Sequence, residues 1–197
     1  MKSIEIKGTL RADLGKKGSR DIRKTDAVPA VIYGGLKDAE GKTVVTHFTV
    51  ANDQLRNLVY SPEIFLIDLT IDKTKCSAIL KDIQFHPVTD RILHVDFYQV
   101  NPKEPIIMEV PVALNGLAEG VKAGGKLQLT LRKLKVRALA DLIPEKLNVN
   151  VTELGLGKTI QVGELSFENL EIVTAKEAVV CAVRLTRAAR GAMQKSN

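Results

Sequence analysis

Seven cations and only two carboxylates stand between Lys7 and Lys24. The cations are Lys7, Arg11, Lys16, Lys17, Arg20, Arg23 and Lys24, and the acids are Asp13 and Asp21. This local excess of five is most of the chain's formal charge of +6. Its centre, Gly15-Lys16-Lys17-Gly18-Ser19-Arg20, reads as a glycine-flanked basic loop running into a short helix. Glycines permit close backbone approach, and Ser19 with the helix N-terminus offers N–H and O–H donors to a phosphate. Arg20 and Arg23 stand one turn apart, so both can face one ligand. The group suits a polyanionic backbone, and arginine forks can also read base edges. An ordinary solvated basic face has the same composition. A nucleotide-binding loop is excluded, because the spacing of the phosphate-loop motif is absent.

A second group lies in Lys81-Asp82-Ile83-Gln84-Phe85-His86-Pro87 and Arg91-Ile92-Leu93-His94-Val95-Asp96-Phe97. Strand alternation sends Leu93, Val95 and Phe97 one way and His94 and Asp96 the other. Gln84, His86, His94 and Asp96 can then form one outer patch of donors and acceptors. Such a patch reads base edges or 2′-hydroxyls where an RNA helix is distorted. His86, His94 and Asp96 can also be read as metal ligands, although their spacing matches no recognised site. A His–Asp pair can orient a general base, but no serine or cysteine sits in a nucleophile motif. The expectation is a binding protein that needs no cofactor, not an enzyme.

The elements that carry these residues are mostly strands. Period-2 alternation marks 4–10, 28–33, 43–50, 64–71, 76–83 and 92–98, with a hairpin connection at 72–75. Two short helices are expected at 19–25 and 52–60, the second with Asn52 as N-cap and Leu55, Leu58 and Val59 on one face. Asn101-Pro102-Lys103-Glu104-Pro105 breaks both kinds of element and marks a linker. Strand patterns resume at 106–114, 126–131, 133–139, 146–151, 159–162, 170–173 and 179–185, separated by turn-rich stretches such as 120–125. This predicts two mainly-β domains with a few short helices, 1–100 and 101–187, and a flexible basic tail at 188–197. In the second domain, Lys133, Lys135 and Arg137 share one side of a strand. They form either a solvated face or a contact with nucleic acid or protein.

Composition bounds the alternatives. With 197 residues, 45% of them hydrophobic, the chain can bury real cores, and they must be aliphatic because it has five Phe, three Tyr and no Trp. A pI of about 9.3 makes an anionic partner plausible without choosing one. Cys76 and Cys181 sit far apart beside apolar residues, which suits reduced core thiols. The alternating N-terminus lacks the apolar run of a signal peptide, and no apolar stretch is long enough to span a bilayer. A cytoplasmic protein with no membrane contact is expected.

Several motifs together resemble a known family. Arg11, then Gly15-Lys16-Lys17-Gly18-Ser19-Arg20-Asp21-Ile22-Arg23, then Val28-Pro29-Ala30-Val31-Ile32-Tyr33-Gly34-Gly35 is similar to the opening of the bacterial ribosomal protein L-twenty-five, or general stress protein CTC, family. Lys81 to Val88 and His94-Val95-Asp96-Phe97 follow in the same order. Glu109-Val110-Pro111-Val112, Gly120 to Gly125 and Ile143-Pro144 resemble the extra domain of the longer form. The resemblance implies an N-terminal β-barrel with a few helices that binds 5S rRNA at an irregular helix, loop E. It implies that Arg11, Lys16, Ser19, Arg20, Arg23, Tyr33, Gln84, His86, His94 and Asp96 face the RNA, with Lys17, Lys81 and Arg91 beside them. The C-terminal domain would meet large-subunit rRNA or neighbouring ribosomal proteins on the ribosome. A stress-related regulator of another RNA or protein is the alternative. Family members often carry a cation where this chain has Phe85, so one contact is implied to be lost or replaced by stacking.

Overall fold

Alternating apolar residues in the first hundred positions form strands, as their pattern led us to expect, and close into the barrel that the resemblance implied. In the computed structural model, which describes residues 2–35, 43–102 and 104–187, the barrel strands are β1 (Lys2–Leu10), β2 (Ala27–Tyr33), β3 (Thr46–Ala51), β4 (Phe65–Ile71), β5 (Thr74–Phe85) and β6 (Ile92–Gln99). Their order around the barrel is β1-β3-β2-β6-β5-β4. Parallel pairing of β1 with β4, from Lys2 opposite Phe65 to Gly8 opposite Ile71, completes the closure. Closure pairs each barrel strand with a neighbour on both sides over at least part of its length.

The inward set is aliphatic apart from two rings. Ile6, Ala30, Phe48, Val50, Ile67, Leu69, Ala78, Val95 and Phe97 are essentially fully buried, and Phe48 and Phe97 meet at 5.7 Å. Helix α1 (Lys16–Lys24) lies against β2, and α2 (Asn52–Val59) adds Leu55 and Leu58 to the core. Asn52 does not cap α2. The cap position is Ala51, and Asn52 instead donates its backbone N–H to the Asp26 carbonyl and its amide to the Asp26 carboxylate. The β4–β5 hairpin turns on Asp72, whose φ of 51° suits a tight two-residue connection.

The rest of the chain makes a second β unit with its own core. Strands β7 (Ile106–Asn115), β9 (Lys133–Ala138), β10 (Leu147–Asn150) and β12 (Glu171–Ile172) form one sheet, and β8 (Lys126–Leu129), β11 (Thr159–Gln161) and β13 (Val179–Arg184) form another. Val110, Leu134, Val136, Leu147, Val151, Val180 and Cys181 are buried. The turn-rich stretch 120–125 contains a one-turn helix, α3 (Glu119–Lys122). The chain divides into a unit of Met1–Ile106 with Leu139–Asp141 and a unit of Ile107–Ala138 with Leu142–Asn197. The tail at 188–197 lies outside the described residues.

Candidate nucleic-acid interface

Helix α1 begins three residues before its expected start at Ser19. Gly15 adopts φ 112°, a conformation that favours glycine, and the helix runs from Lys16. The basic loop is therefore a helical turn. Gly18 fits inside it because a Cβ there would stand 2.9 Å from the Asp13 carbonyl oxygen. The Ser19 N–H donates to the Gly15 carbonyl at 3.0 Å, so it is not among the free donors at the helix start. The Ser19 hydroxyl accepts from Arg11 Nη2 at 3.1 Å, and the same nitrogen reaches the Asp13 carbonyl. Arg11 thereby ties the end of β1 to α1.

The outer side of α1 is unusually positive. The helix buries no residue, has no acid in its first turn, and carries Lys16 and Lys17 at its positive dipole end. Those like charges destabilise the isolated helix, and an anion bound there relieves them. Lys16, Lys17, Arg20 and Arg23 are all exposed. Leu10, Arg11, Leu14, Lys17 and Asp21 line an open cleft of about 560 Å³ beside the helix.

The second patch sits on the β5–β6 hairpin. The ladder of β4 with β5 ends at Ala78, and that of β2 with β6 starts at Ala30 opposite Val95. Residues 82–85 and 92–94 therefore extend past both flanking strands as a two-stranded ribbon. Two bulges shape it, one leaving Lys81 without a partner in the register and one doing the same to Leu93. Cys76, Leu80 and Ile83 all pack on the core, together with Ala78, so the apolar phase shifts by one residue across Lys81. That shift turns Asp82 and Gln84 outward. On β6, Ile92 enters the core in the place expected of Leu93. Leu93 sits at the bulge, and its carbonyl accepts from Arg23 Nε at 3.0 Å and Nη2 at 2.9 Å.

Gln84 is the register partner of His94, and Asp82 that of Asp96. His94 Nδ1 lies 2.7 Å from Asp96 Oδ1. A carboxylate accepts hydrogen bonds, so Nδ1 carries the proton and Nε2 of the neutral ring is left as an acceptor. Tyr33 is half-buried beside this group, with its ring edge-on to Tyr98 at 6.0 Å. Burial raises its phenol above the ordinary value, and Asp96, Asp82 and Tyr98 raise it further. The Tyr33 hydroxyl therefore remains a donor at neutral pH.

His86 has the opposite polarity. Its Nδ1 accepts from the Val88 and Thr89 N–H groups at 3.3 and 3.2 Å, which assigns the proton of the neutral ring to Nε2. The turn it opens is closed by His86 N–H on the Arg91 carbonyl at 2.8 Å and Asp90 N–H on the His86 carbonyl at 3.0 Å. Arg23, His86, Thr89 and Arg91 line a second open cleft of about 510 Å³ with Asp26 and Asn52.

Three groups emerge from the thirteen residues singled out in the sequence. Arg11, Lys16, Lys17, Ser19 and Arg20 belong to α1 and its cleft. Arg23, His86 and Arg91 share the second cleft. Tyr33, Gln84, His94 and Asp96 occupy the outer face of the β2–β6–β5 surface, while Lys81 is exposed at its bulge. Sequence reasoning missed Asp82 and Tyr98. The signal for Asp82 was the change of apolar phase from Cys76, Ala78 and Leu80 to Ile83, the mark of an inserted residue.

In the second unit, Lys133, Lys135 and Arg137 alternate with buried Leu134, Val136 and Ala138, as expected. Acids attend two of them, with Lys135 Nζ 3.9 Å from Glu109 and Arg137 Nη1 3.8 Å from Glu171. Such exposed pairs contribute about 0–1 kcal/mol, but they offset the positive field of the strand. Among the described residues, no His, Cys, Asp and Glu cluster is arranged to hold a metal, and no helix is long and apolar enough to cross a membrane.

A closed barrel with a cationic helix and a bulged polar ribbon, followed by a separate β unit, defines a two-domain protein whose N-terminal surface suits a polyanion. Residues 6–97 match the Ribosomal L25p family, and residues 105–187 match the C-terminal domain of ribosomal protein TL5. The large ribosomal subunit protein bL25 of Phocaeicola vulgatus is 67% identical over 192 residues, which cover 98% of this chain and 97% of that protein. The bL25 of Bacteroides thetaiotaomicron is 64% identical over 197 residues, 98% and 97% of the two chains. That of Porphyromonas gingivalis is 60% identical over 196 residues, 99% of each. The chain belongs to the Ribosomal L25p family.

Proposed function

We propose that this protein is a structural component of the large ribosomal subunit, and not an enzyme, that binds 5S rRNA through its barrel. The target is an irregular helix of the loop E kind, and the setting is the ribosome in the cytoplasm. The observation that carries the reading is the pair of bulges at Lys81 and Leu93, which leave Gln84, His94 and Asp96 on one outer face with Arg23 of α1 bonded to the Leu93 carbonyl beside them. Phosphates are attracted by Lys16, Lys17, Arg20 and Arg23, which position the protein without reading sequence. The outer face of the β2–β6–β5 surface then supplies an acceptor at His94 Nε2, donors at Tyr33 and Gln84, and carboxylate acceptors. That mixture suits base edges exposed by non-standard pairing and does not suit phosphate. The acids beside Lys135 and Arg137 favour a mixed-charge neighbour for the second unit, such as another ribosomal protein or a flank of large-subunit rRNA.

The test is binding to 5S rRNA and to a plain RNA duplex of equal length across a salt series. About five neutralised phosphates give a log–log slope of roughly −3.5 to −4.5. His94→Ala should erode the preference for the irregular helix while leaving duplex binding intact. A slope near zero, or equal losses on both RNAs in the His94 variant, would overturn the mechanism.

A further inference from the structure

The tip of the β5–β6 ribbon carries two apolar side chains that the barrel does not use. Phe85 is 42% exposed and Val88 83% exposed, and neither joins the buried cluster. Phe85 is the register partner of Ile92, so its ring leaves the ribbon on the face opposite Gln84 and His94. Its register partner Ile92 lines the cleft that also holds Arg23, His86 and Arg91, so Phe85 is paired across the ladder with a residue of that cleft. The backbone around it is closed by the His86–Arg91 and Asp90–His86 hydrogen bonds and by the two bonds into His86 Nδ1. These bonds fix the backbone of the turn that follows Phe85 and carries Val88, and both side chains stand exposed.

An apolar surface of two side chains, set among cations, is too small to dock a protein and too polar at its rim for a lipid surface. It matches one nucleotide, since a base offers a π face to the ring while its phosphate meets Arg23 or Arg91. We propose that Phe85 is a stacking platform for an unpaired base of the bound RNA, with Val88 packed against the same nucleotide. This rests on the RNA-binding reading above. The ribbon then engages the RNA on both faces, reading edges with Gln84 and His94 on one side and holding a displaced base on the other.

Two variants test it, each checked by thermal melting to be as folded as the parent. Phe85→Ala should weaken binding to 5S rRNA by about 5-fold or more, the scale of one base–aromatic stack. The salt slope should not change, because a phenyl ring releases no counterions. The chain has no Trp, so Phe85→Trp introduces a single indole whose fluorescence should be quenched on binding the irregular RNA and not on binding plain duplex. Selective binding by the parent with an unquenched indole, or with Phe85→Ala within about twofold of the parent, overturns the platform alone. A parent protein that does not prefer 5S rRNA overturns the functional reading, and the platform with it.

Discussion

Replacing Arg23 separates its charge from its geometry. Its fork donates twice to the Leu93 carbonyl, the group left outside the ladder by the β6 bulge. Hydrogen bonds from charged groups contribute about 1.5–3 kcal/mol each, but Arg23 is exposed and its two donors share one acceptor. Water can also rehydrate the half-buried Leu93 in a variant. Removing the brace should therefore cost about 1–1.5 kcal/mol, or roughly 4–8 °C in melting temperature for each kcal/mol in a unit of this size. Arg23→Lys keeps the cation and loses the fork. It should melt several degrees lower, speed amide exchange in residues 84–94, and leave the salt slope of RNA binding unchanged. Arg23→Ala should melt equally low and also flatten the slope by about 0.7–0.9, one phosphate's share. Calorimetry, hydrogen exchange and salt titration read the three quantities independently. If Arg23→Lys melts within about 1 °C of the parent with unchanged exchange at 92–94, the brace is refuted.

Asp82 and Asp96 face each other across the ladder, and like charges directly opposite are destabilising. Asp82→Asn should stabilise the barrel by about 0.2–1 kcal/mol in chemical denaturation and bring the Tyr33 phenol down towards its ordinary value in an ultraviolet titration. Because the folded phenol ionises above the unfolded one, its contribution is present below pH 10 and is lost as pH rises through the raised value, so melting curves should fall off in that alkaline range. Burial pushes up the thiols of both Cys76 and Cys181, with Glu164 adding to the second and a backbone bond at Ile160 opposing it. Both should resist a neutral-pH thiol reagent in the native protein and react fully once it is unfolded; rapid native labelling of Cys181 would contradict its burial.

Most of the strand positions along the chain could be read from alternation because each barrel strand buries one face. Ile4, Ile6, Val28, Ile32, Val50, Ile67 and Leu69 announce their side without reference to any partner. The errors fall where local sequence does not decide. Gly15-Lys16-Lys17-Gly18 has the composition of a loop, yet from Lys16 on it is helical, with Gly18 close to the Asp13 backbone, an approach that only the folded chain supplies. Asn52 has the preferred chemistry of a cap, but Asp26 competes for its groups. Leu93 alternates correctly with Val95 and Phe97, yet Ile92 is the one buried. A bulge belongs to a pair of strands, and its position cannot be read from either strand alone. The candidate site was legible as residue types, while its division into three groups was not.

That division bears on how an acidic pair can sit on a surface meant for RNA. Phosphate attraction alone would favour replacing Asp82 and Asp96 with neutral or basic residues. Their presence beside His94 and Tyr33 makes that face repel phosphate, and its carboxylates are satisfied by base amino groups or hydroxyls. On the proposed function, affinity then comes from elsewhere, and the exposed cations of α1 are the group suited to supply it. The Arg23 brace joins the two, because the helix proposed to attract the backbone also grips the ribbon strand one residue before His94. In the proposed complex, a plain duplex can satisfy α1 but leaves the acidic face against phosphate or solvent. An irregular helix satisfies both at once. Selectivity on this account arises from repulsion as much as from contact, and Asp82→Asn should for that reason raise affinity for plain duplex more than for 5S rRNA.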